Sequence, residues 1–317
     1  MDTFEVIQPG PLTTIQDLGR YGYQQYGVPT SGAMDNYALR LGNLLVGKDE
    51  AAACLEITLF GLRLRVLRDT VVAITGADFG AALNGSSLPL WETVAVYDGD
   101  IISFPRLKSG CRAYLTVSGG FAIPRVMGSP ATYTRARIGG LAGRTLFAGD
   151  RLQTVKSAPT ALGRRVPLEY IPKYGHQIEL RVILGPQDDH FTERGVRTFL
   201  SSEYTVSTKA DRMGYRLKGP QIQHRAGADI ISDGIPLGAV QVPGDGLPII
   251  LLADRQTTGG YTKIATVISA DIPKLAQGKP GDKVKFIQIS EQEAIMALKE
   301  YEQKIQTVKR LLHGPYR

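Results

Sequence analysis

Short apolar runs, each a few residues long and closed off by Gly, Pro or polar clusters, recur along this chain. Residues 62–67, 70–75, 101–104, 113–117, 178–184 and 283–289 are the clearest. Their Val, Ile, Leu and Tyr suit a pleated, half-buried surface, so each predicts a β-strand. Helical patterns are fewer. Residues 31–46 place Ala38, Leu41 and Leu45 on one face, and Gly47 follows as a stop. Residues 191–200 predict a second helix. Glu291–Leu312 predicts the longest: Ser290 is a good N-cap, Glu293 completes a capping box, and Ile295, Leu298, Ile305, Val308 and Leu312 form a stripe. Many short strands with few helices argue for a mainly β barrel or sandwich, not a doubly wound sheet.

Residues 156–176 carry three prolines and no clean period, and read as a linker or surface crossing between two halves. The halves share three anchors in one order. "DTVVAITGAD" (69–78) matches "DGLPIILLAD" (245–254), each with two Asp nine apart. "DGDIISF" (98–104) resembles "PGDKVKF" (280–286), and "GAMDNYALRL" (32–41) echoes "DRMGYRL" (211–217). This points to a duplicated unit.

Composition narrows the class. The 317 residues suffice for about two domains. Hydrophobic content of 43% and charged content of 21% are ordinary for a soluble globular protein. No apolar run is long enough for a membrane span, and the acidic start does not resemble a signal peptide. Cys54 and Cys111 are expected to be buried free thiols in a reducing cytoplasm. The net charge of +7 is scattered, without a nucleic-acid-binding signature, so a solvated surface is expected.

Several chemistries lack their motifs. There is no GxxxxGK[ST] loop, GxSxG elbow, HExxH helix or Met-Lys-Met biotin-attachment tripeptide. His176, His190, His224 and His313 are dispersed and expected to be structural or solvated, so no metal site is assigned. ATP or swinging-arm chemistry would need another polypeptide.

What recurs is a strand end dressed with Gly, Thr, Ser, Asn and Asp, as in Thr75-Gly76-Ala77-Asp78 and in "DRQTTGGY" (254–261). Gly allows close backbone approach; Thr, Ser and Gln bring donors and acceptors. Arg20, Arg212, Arg216 and Arg255 can fork onto a carboxylate or phosphate, and Asp17, Asp35, Asp78, Asp211 and Asp254 can act as bases or hold those arginines. This inventory suits a small, planar, polar or anionic ligand, although each piece alone is also an ordinary turn or ion pair. Glu56 lies in an apolar strand and needs a partner, for which Arg63 and Arg65 are candidates.

Seven motifs in order resemble the biotin-dependent carboxyltransferase, or allophanate hydrolase subunit 2, family: "TTIQDLGRYGYQQYGVPTSGAMD" (13–35), "LEITLFG" (55–61), "AITGAD" (73–78), "YLTVSGGF" (114–121), "DRMGYRL" (211–217), "GAVQVPGDGLPIILLADRQTTGGY" (238–261) and "LAQGKPGD" (275–282). Within it, the chain is most similar to the branch of 5-oxoprolinase C subunits. The resemblance implies two tandem cyclophilin-like β-barrel domains with a few helices. The expected bounds are 1–155 and 177–290, with the linker at 156–176 and a C-terminal helix and tail at 291–317. It implies a catalytic set of Arg20, Asp35, Asp211 and Arg212. The implied substrate-binding set is Gln16, Asp17, Met34, Met213, Gln241, Asp254, Gln256, Thr257, Thr258 and Tyr261, to which the residue chemistry adds Glu56, Asp78, Gly259 and Gly260. Asp233 stands where relatives are expected to carry a longer carboxylate, and is left out.

The implied activity is ATP-dependent opening of 5-oxoproline to L-glutamate, with ATP and Mg bound by or shared with a partner and no biotin attached to this chain. In one route the lactam oxygen is phosphorylated and water opens the activated ring. Arg20 or Arg212 would clamp the carboxylate, and Thr257, Thr258 and the Gly259–Gly260 amides would serve the amide oxygen. The implied partners are the other two components of 5-oxoprolinase, a KipI-like protein of the B type and a LamB/YcsF-like protein of the A type, in the cytoplasm. The alternatives are the carboxyltransferase component of a urea carboxylase/allophanate hydrolase-type system, and a regulatory partner that antagonises a histidine-kinase inhibitor.

Overall fold

The computed structural model of the chain describes residues 1–156 and 162–312; residues 157–161 of the expected linker, and His313, lie outside the described residues. Strands dominate, as expected, and every predicted run is one: Leu62–Val66, Thr70–Asp78, Ile101–Ser103, Ser109–Val117, Gln177–Leu184 and Lys283–Gln288. In Leu62–Val66 the alternation is strict. Leu62, Leu64 and Val66 are buried while Arg63 and Arg65 face out, and each buried side chain contributes about 1.5–3 kcal/mol.

The chain divides into two units. One takes Met1–Arg20, Ser31–Tyr174 and the C-terminal helix from Gln303; the other takes Tyr21–Thr30 and Gly175–Glu302. The first unit contains a six-stranded sheet, in which Asp2–Pro9 and Leu62–Val66 are central neighbours, and a five-stranded sheet ordered Leu12–Gln16, Cys54–Thr58, Ser109–Val117, Thr70–Asp78, Thr93–Val96. One core joins them, with Phe4, Leu64 and Ile102 from the first sheet and Ile57, Ile74 and Leu115 from the second. Beyond the first unit's sheets, Val166 N donates to Trp91 O at 2.9 Å and Thr93 N to Arg164 O at 2.9 Å, so this part of the expected linker runs as a strand-like edge.

The second unit is a closed barrel of seven strands: Gln177–Leu184, Lys263–Val267, Ala239–Gln241, Ile249–Leu251, Gly214–Lys218, Tyr204–Val206 and Lys283–Gln288. The first and last pair in parallel and close it. A separate two-stranded ribbon pairs Asp229–Gly234 with Thr258–Tyr261. Barrel closure is thus a property of the second half, while the first half builds its core between two sheets.

The helices differ from expectation in detail. The first runs only over Asn36–Leu45. Ser31 and Gly32 have φ of 52° and 84°, a left-handed backbone that cannot begin a helix, and Asp35 caps it by accepting from Ala38 N at 2.9 Å. The second is Glu193–Ser201, capped by Thr192. Glu291–Leu312 is present with its capping box, Glu293 accepting from Ser290 N at 2.8 Å. Its stripe is rotated from the predicted one. Ile305 and Val308 are buried, but Ile295 and Leu298 are exposed and Ala297 takes the inward place.

Candidate functional site

In the first unit the opening motif is stitched to the loop at residues 126–132. Gln16 donates to Thr14 Oγ1 at 3.0 Å and to Thr132 O at 3.1 Å. Asp17 accepts from Gly19 N at 2.8 Å and from Ser129 Oγ at 2.7 Å. Arg20 is 0% exposed and turns its guanidinium onto the carbonyls of Val126 (2.9 Å), Ser129 (3.3 Å) and Ala131 (2.8 Å). These contacts organise a loop. A guanidinium so enclosed offers no edge to a ligand.

Glu56 finds its partners elsewhere than Arg63 or Arg65, which point outward. It sits opposite Tyr114 across the antiparallel pair Cys54–Thr58 and Ser109–Val117. Its Oε2 accepts from Tyr114 Oη and Met34 N, both at 2.8 Å, and Arg112 Nε lies 4.0 Å from Oε1. Tyr114 Oη in turn accepts from Asp35 N at 2.8 Å. Burial, with Glu56 and Asp35 alongside, pushes the Tyr114 phenol well above its usual range. Met34, Asp35 and Glu56 are therefore brought together, as a buried network at the start of helix Asn36–Leu45. Asp78 stands apart, accepting from Gly80 N at 2.7 Å and facing Lys108 at 3.4 Å. A groove of the same unit lined by Gln8, Phe60, Arg63 and Asn84 contains none of the expected site residues.

The second unit gathers most of its expected site residues around the end of strand Ile249–Leu251. Arg212 and Asp254 form a buried two-pronged pair, Nε to Oδ2 at 2.9 Å and Nη2 to Oδ1 at 3.0 Å. Asp211 is exposed and folds back onto Met213 N (2.8 Å) and Gly214 N (3.1 Å), an Asx turn that sets the entry to the barrel. Arg255, next in line, is buried too, and points at Ile235 O, Leu252 O and Thr30 Oγ1. From Gln256 on the chain emerges. Gln256, Thr258 and Tyr261 are exposed, and Thr257, Gly259 and Gly260 half-buried.

Beneath that emerging ribbon the expected Gln241 meets a residue that the sequence does not single out, Lys263. Lys263 is 1% exposed and Gln241 2% exposed. They face each other across the pairing of Ala239–Gln241 with Lys263–Val267, at a β-bulge. Lys263 Nζ donates to Asp233 Oδ2 at 3.0 Å, and its backbone N–H donates to Gln187 Oε1 at 3.1 Å. The hydrogen bond and charge of Lys263 hold the exposed Asp233 carboxyl below its usual range. Asp233 is opposite Gly259 in the ribbon. A Cβ on Gly259 would come 3.0 Å from Gln241 Nε2 and 2.6 Å from Ile235 Cδ1, so the ribbon lies close over both side chains and a larger residue would have to push them aside. Gln241 Nε2 itself is buried with no hydrogen-bond partner among the described residues. A lysine inside the run Lys263-Ile264-Ala265-Thr266-Val267 is the available sequence signal, a charge in an otherwise apolar strand. Two donors and one acceptor together can match the edge of a small amide, whose C=O accepts and whose N–H donates.

The family pattern described as "Carboxyltransferase domain, subdomain A and B" matches residues 26–288. The chain belongs to this carboxyltransferase family. Among its relatives, this carboxyltransferase-family chain is 38% identical over 308 residues to the 5-oxoprolinase C subunit of Haemophilus influenzae, covering 97% of this chain and 98% of that one. The 5-oxoprolinase C subunit of Escherichia coli is likewise 38% identical, over 310 residues, covering 98% and 99%. The crystal structure of the urea amidolyase of K. lactis aligns with a TM-score of 0.91 at 32% identity, covering 96% of this chain but only 20% of that polypeptide. The carboxyltransferase chain thus spans nearly all of the first two and about a fifth of the third.

Proposed function

We propose that this carboxyltransferase-family chain is the C-type component of a 5-oxoprolinase complex that opens 5-oxoproline to L-glutamate at the expense of ATP. The observation that carries this reading is co-extension. The chain and the two 5-oxoprolinase C subunits match end to end, at 97% and 98% of this chain and 98% and 99% of theirs. Against the urea amidolyase it corresponds to one segment of a far longer polypeptide.

The chemistry of the second unit fits a lactam. 5-Oxoproline presents a carbonyl oxygen and an N–H side by side on one edge, and a carboxylate on the ring. Lys263 and Gln241 bring donors, and Asp233 an acceptor, to one place on the ribbon. Donors aimed at an amide oxygen polarise its carbonyl as negative charge develops there.

The sequence lacks a P-loop, and among the described residues no three His, Cys, Asp or Glu side chains gather as metal ligands. In this proposal ATP and Mg are bound by or shared with a partner, of the KipI-like or LamB/YcsF-like kind. Exposed Tyr21 and Tyr26 favour association with such a partner, and they also support the second reading, a regulatory binding role. The buried thiols Cys54 and Cys111 suit a cytoplasmic location. Among the described residues, no helix is long and apolar enough to cross a membrane.

The test is to isolate a tagged chain with its natural partners and assay glutamate formation from 5-oxoproline with ATP, with urea plus bicarbonate as control. Glutamate release is expected. ATP use that depends on urea would replace the proposal by carboxyl transfer, and a stoichiometric partner without either activity by the regulatory reading.

A further inference from the structure

Arg255 is a buried cation without an acidic partner. It is 7% exposed. Its Nε donates to Ile235 O at 2.9 Å, and its Nη1 to Leu252 O at 3.2 Å and to Thr30 Oγ1 at 3.4 Å; all four residues lie in the second unit. Nη2 donates to no described residue, and no carboxylate among the described residues pairs with the group. Burial pushes the guanidinium below its ordinary value, and the only opposing influence is the Tyr21 phenol.

An ionised group withdrawn from water costs several kcal/mol unless a counter-charge meets it. Its buried neighbour Asp254 and the nearby Arg212 satisfy that rule within the protein, since Asp254 occupies the fork of Arg212. Arg20 is turned onto carbonyls and fully enclosed. Arg255 alone of these three arginines keeps an accessible fraction together with a donor nitrogen, Nη2, that meets no described residue. Two carbonyls and a hydroxyl supply partial negative charge, enough to orient the guanidinium and not to neutralise it. A single guanidinium supplies one positive charge, which suits a carboxylate better than a phosphate dianion. The N–H groups of Nη2 can donate charge-assisted hydrogen bonds to a carboxylate oxygen.

We propose that Arg255, with Thr30 beside it, is the receptor for the carboxylate of a small-molecule ligand. The identity of that ligand as 5-oxoproline rests on the function proposed above; the seat itself does not. Ile235 connects the two parts of such a site. Its carbonyl holds Arg255, and its side chain packs under Gly259, beside the Gln241 amide. Arg255 is then a binding residue, and Arg212 a structural one.

Calorimetric titration of the full chain tests this with 5-oxoproline, with 2-pyrrolidinone (the lactam without its carboxylate) and with tetrahydrofuran-2-carboxylate (the carboxylate without its amide). Both carboxylates should bind, and 2-pyrrolidinone should bind at least about tenfold more weakly. Arg255→Lys keeps the charge but loses the planar set of N–H donors, and should weaken carboxylate binding by about tenfold or more. Carboxylate affinity within about twofold of wild type in Arg255→Lys overturns the proposal, as does the absence of carboxylate binding at about 10 mM. Preference for inorganic phosphate overturns it as well. If Arg255→Lys does not fold, equal affinity of the wild-type chain for 5-oxoproline and 2-pyrrolidinone is the overturning result. If tetrahydrofuran-2-carboxylate binds as tightly as 5-oxoproline, the carboxylate seat stands and the 5-oxoproline reading falls.

Discussion

Gly76 shows how one residue type serves two different readings. In the sequence it belongs to a polar, Gly-bearing strand end that suits a ligand. In the structure it lies inside Thr70–Asp78 with φ of 81°, and a Cβ there would stand 2.5 Å from Arg112 O. The pairing with Ser109–Val117 shifts register between Ser109 and Ala113. The glycine therefore serves a bulge and a close backbone approach. Gly76→Ala should lower stability by about 2 kcal/mol or more in urea denaturation; a change below about 0.5 kcal/mol would show the backbone there to be pliable. The same limit applies to the charged residues. Side-chain type is legible one residue at a time, but its partner is fixed by the fold. Asp35 reads from the sequence as an acid or base, yet it spends one oxygen on a helix cap. Lys263 is easily passed over because Asp233, which meets its ammonium, is thirty residues away in sequence.

At the scale of elements the sequence speaks more clearly, because burial of one face imposes a period that survives without knowledge of partners. Leu62–Val66 and Lys283–Gln288 alternate as written, and the capping box of Glu291–Leu312 uses contacts three residues apart. Tertiary ties between elements are harder to read. Asp271, in the turn after strand Lys263–Val267, accepts from Arg181 Nη2 at 2.7 Å and Nε at 2.9 Å, and lies 2.8 Å from Lys274 Nζ. Burial opposes its charge, but Arg181 and Lys274 outweigh burial and hold the carboxyl below its ordinary value. A depressed folded value means that this stabilisation is fully present above the unfolded value of about 3.9 and is lost as pH falls through the folded one. Asp271→Asn should therefore cost about 1–3 kcal/mol at neutral pH, since Arg181 is partly solvated. Relative to wild type it should lose less stability on acidification below about pH 4. Parallel denaturation midpoints of the two proteins across that range would remove Asp271 from the acid response.

The whole molecule carries the part least visible from local pattern. Three ordered anchors predict two related halves, but the two units close differently, one as two sheets and the other as a seven-stranded barrel. The paired aspartates at the anchor ends also diverge. Asp78 faces a solvated lysine across 3.4 Å, whereas Asp254 is locked into the fork of Arg212. Periodicity cannot distinguish these outcomes, because closure depends on which strands become edges and not on what each strand buries.

The segment Tyr21–Thr30 sits early in the sequence but belongs to the second unit, where Thr30 meets Arg255. A single crossover anywhere within residues 31–174 would part this decapeptide from its barrel. Recombination therefore cannot hand on the second unit as a cassette cut at one point. The alignment with the K. lactis urea amidolyase covers 96% of this chain within a polypeptide about five times as long.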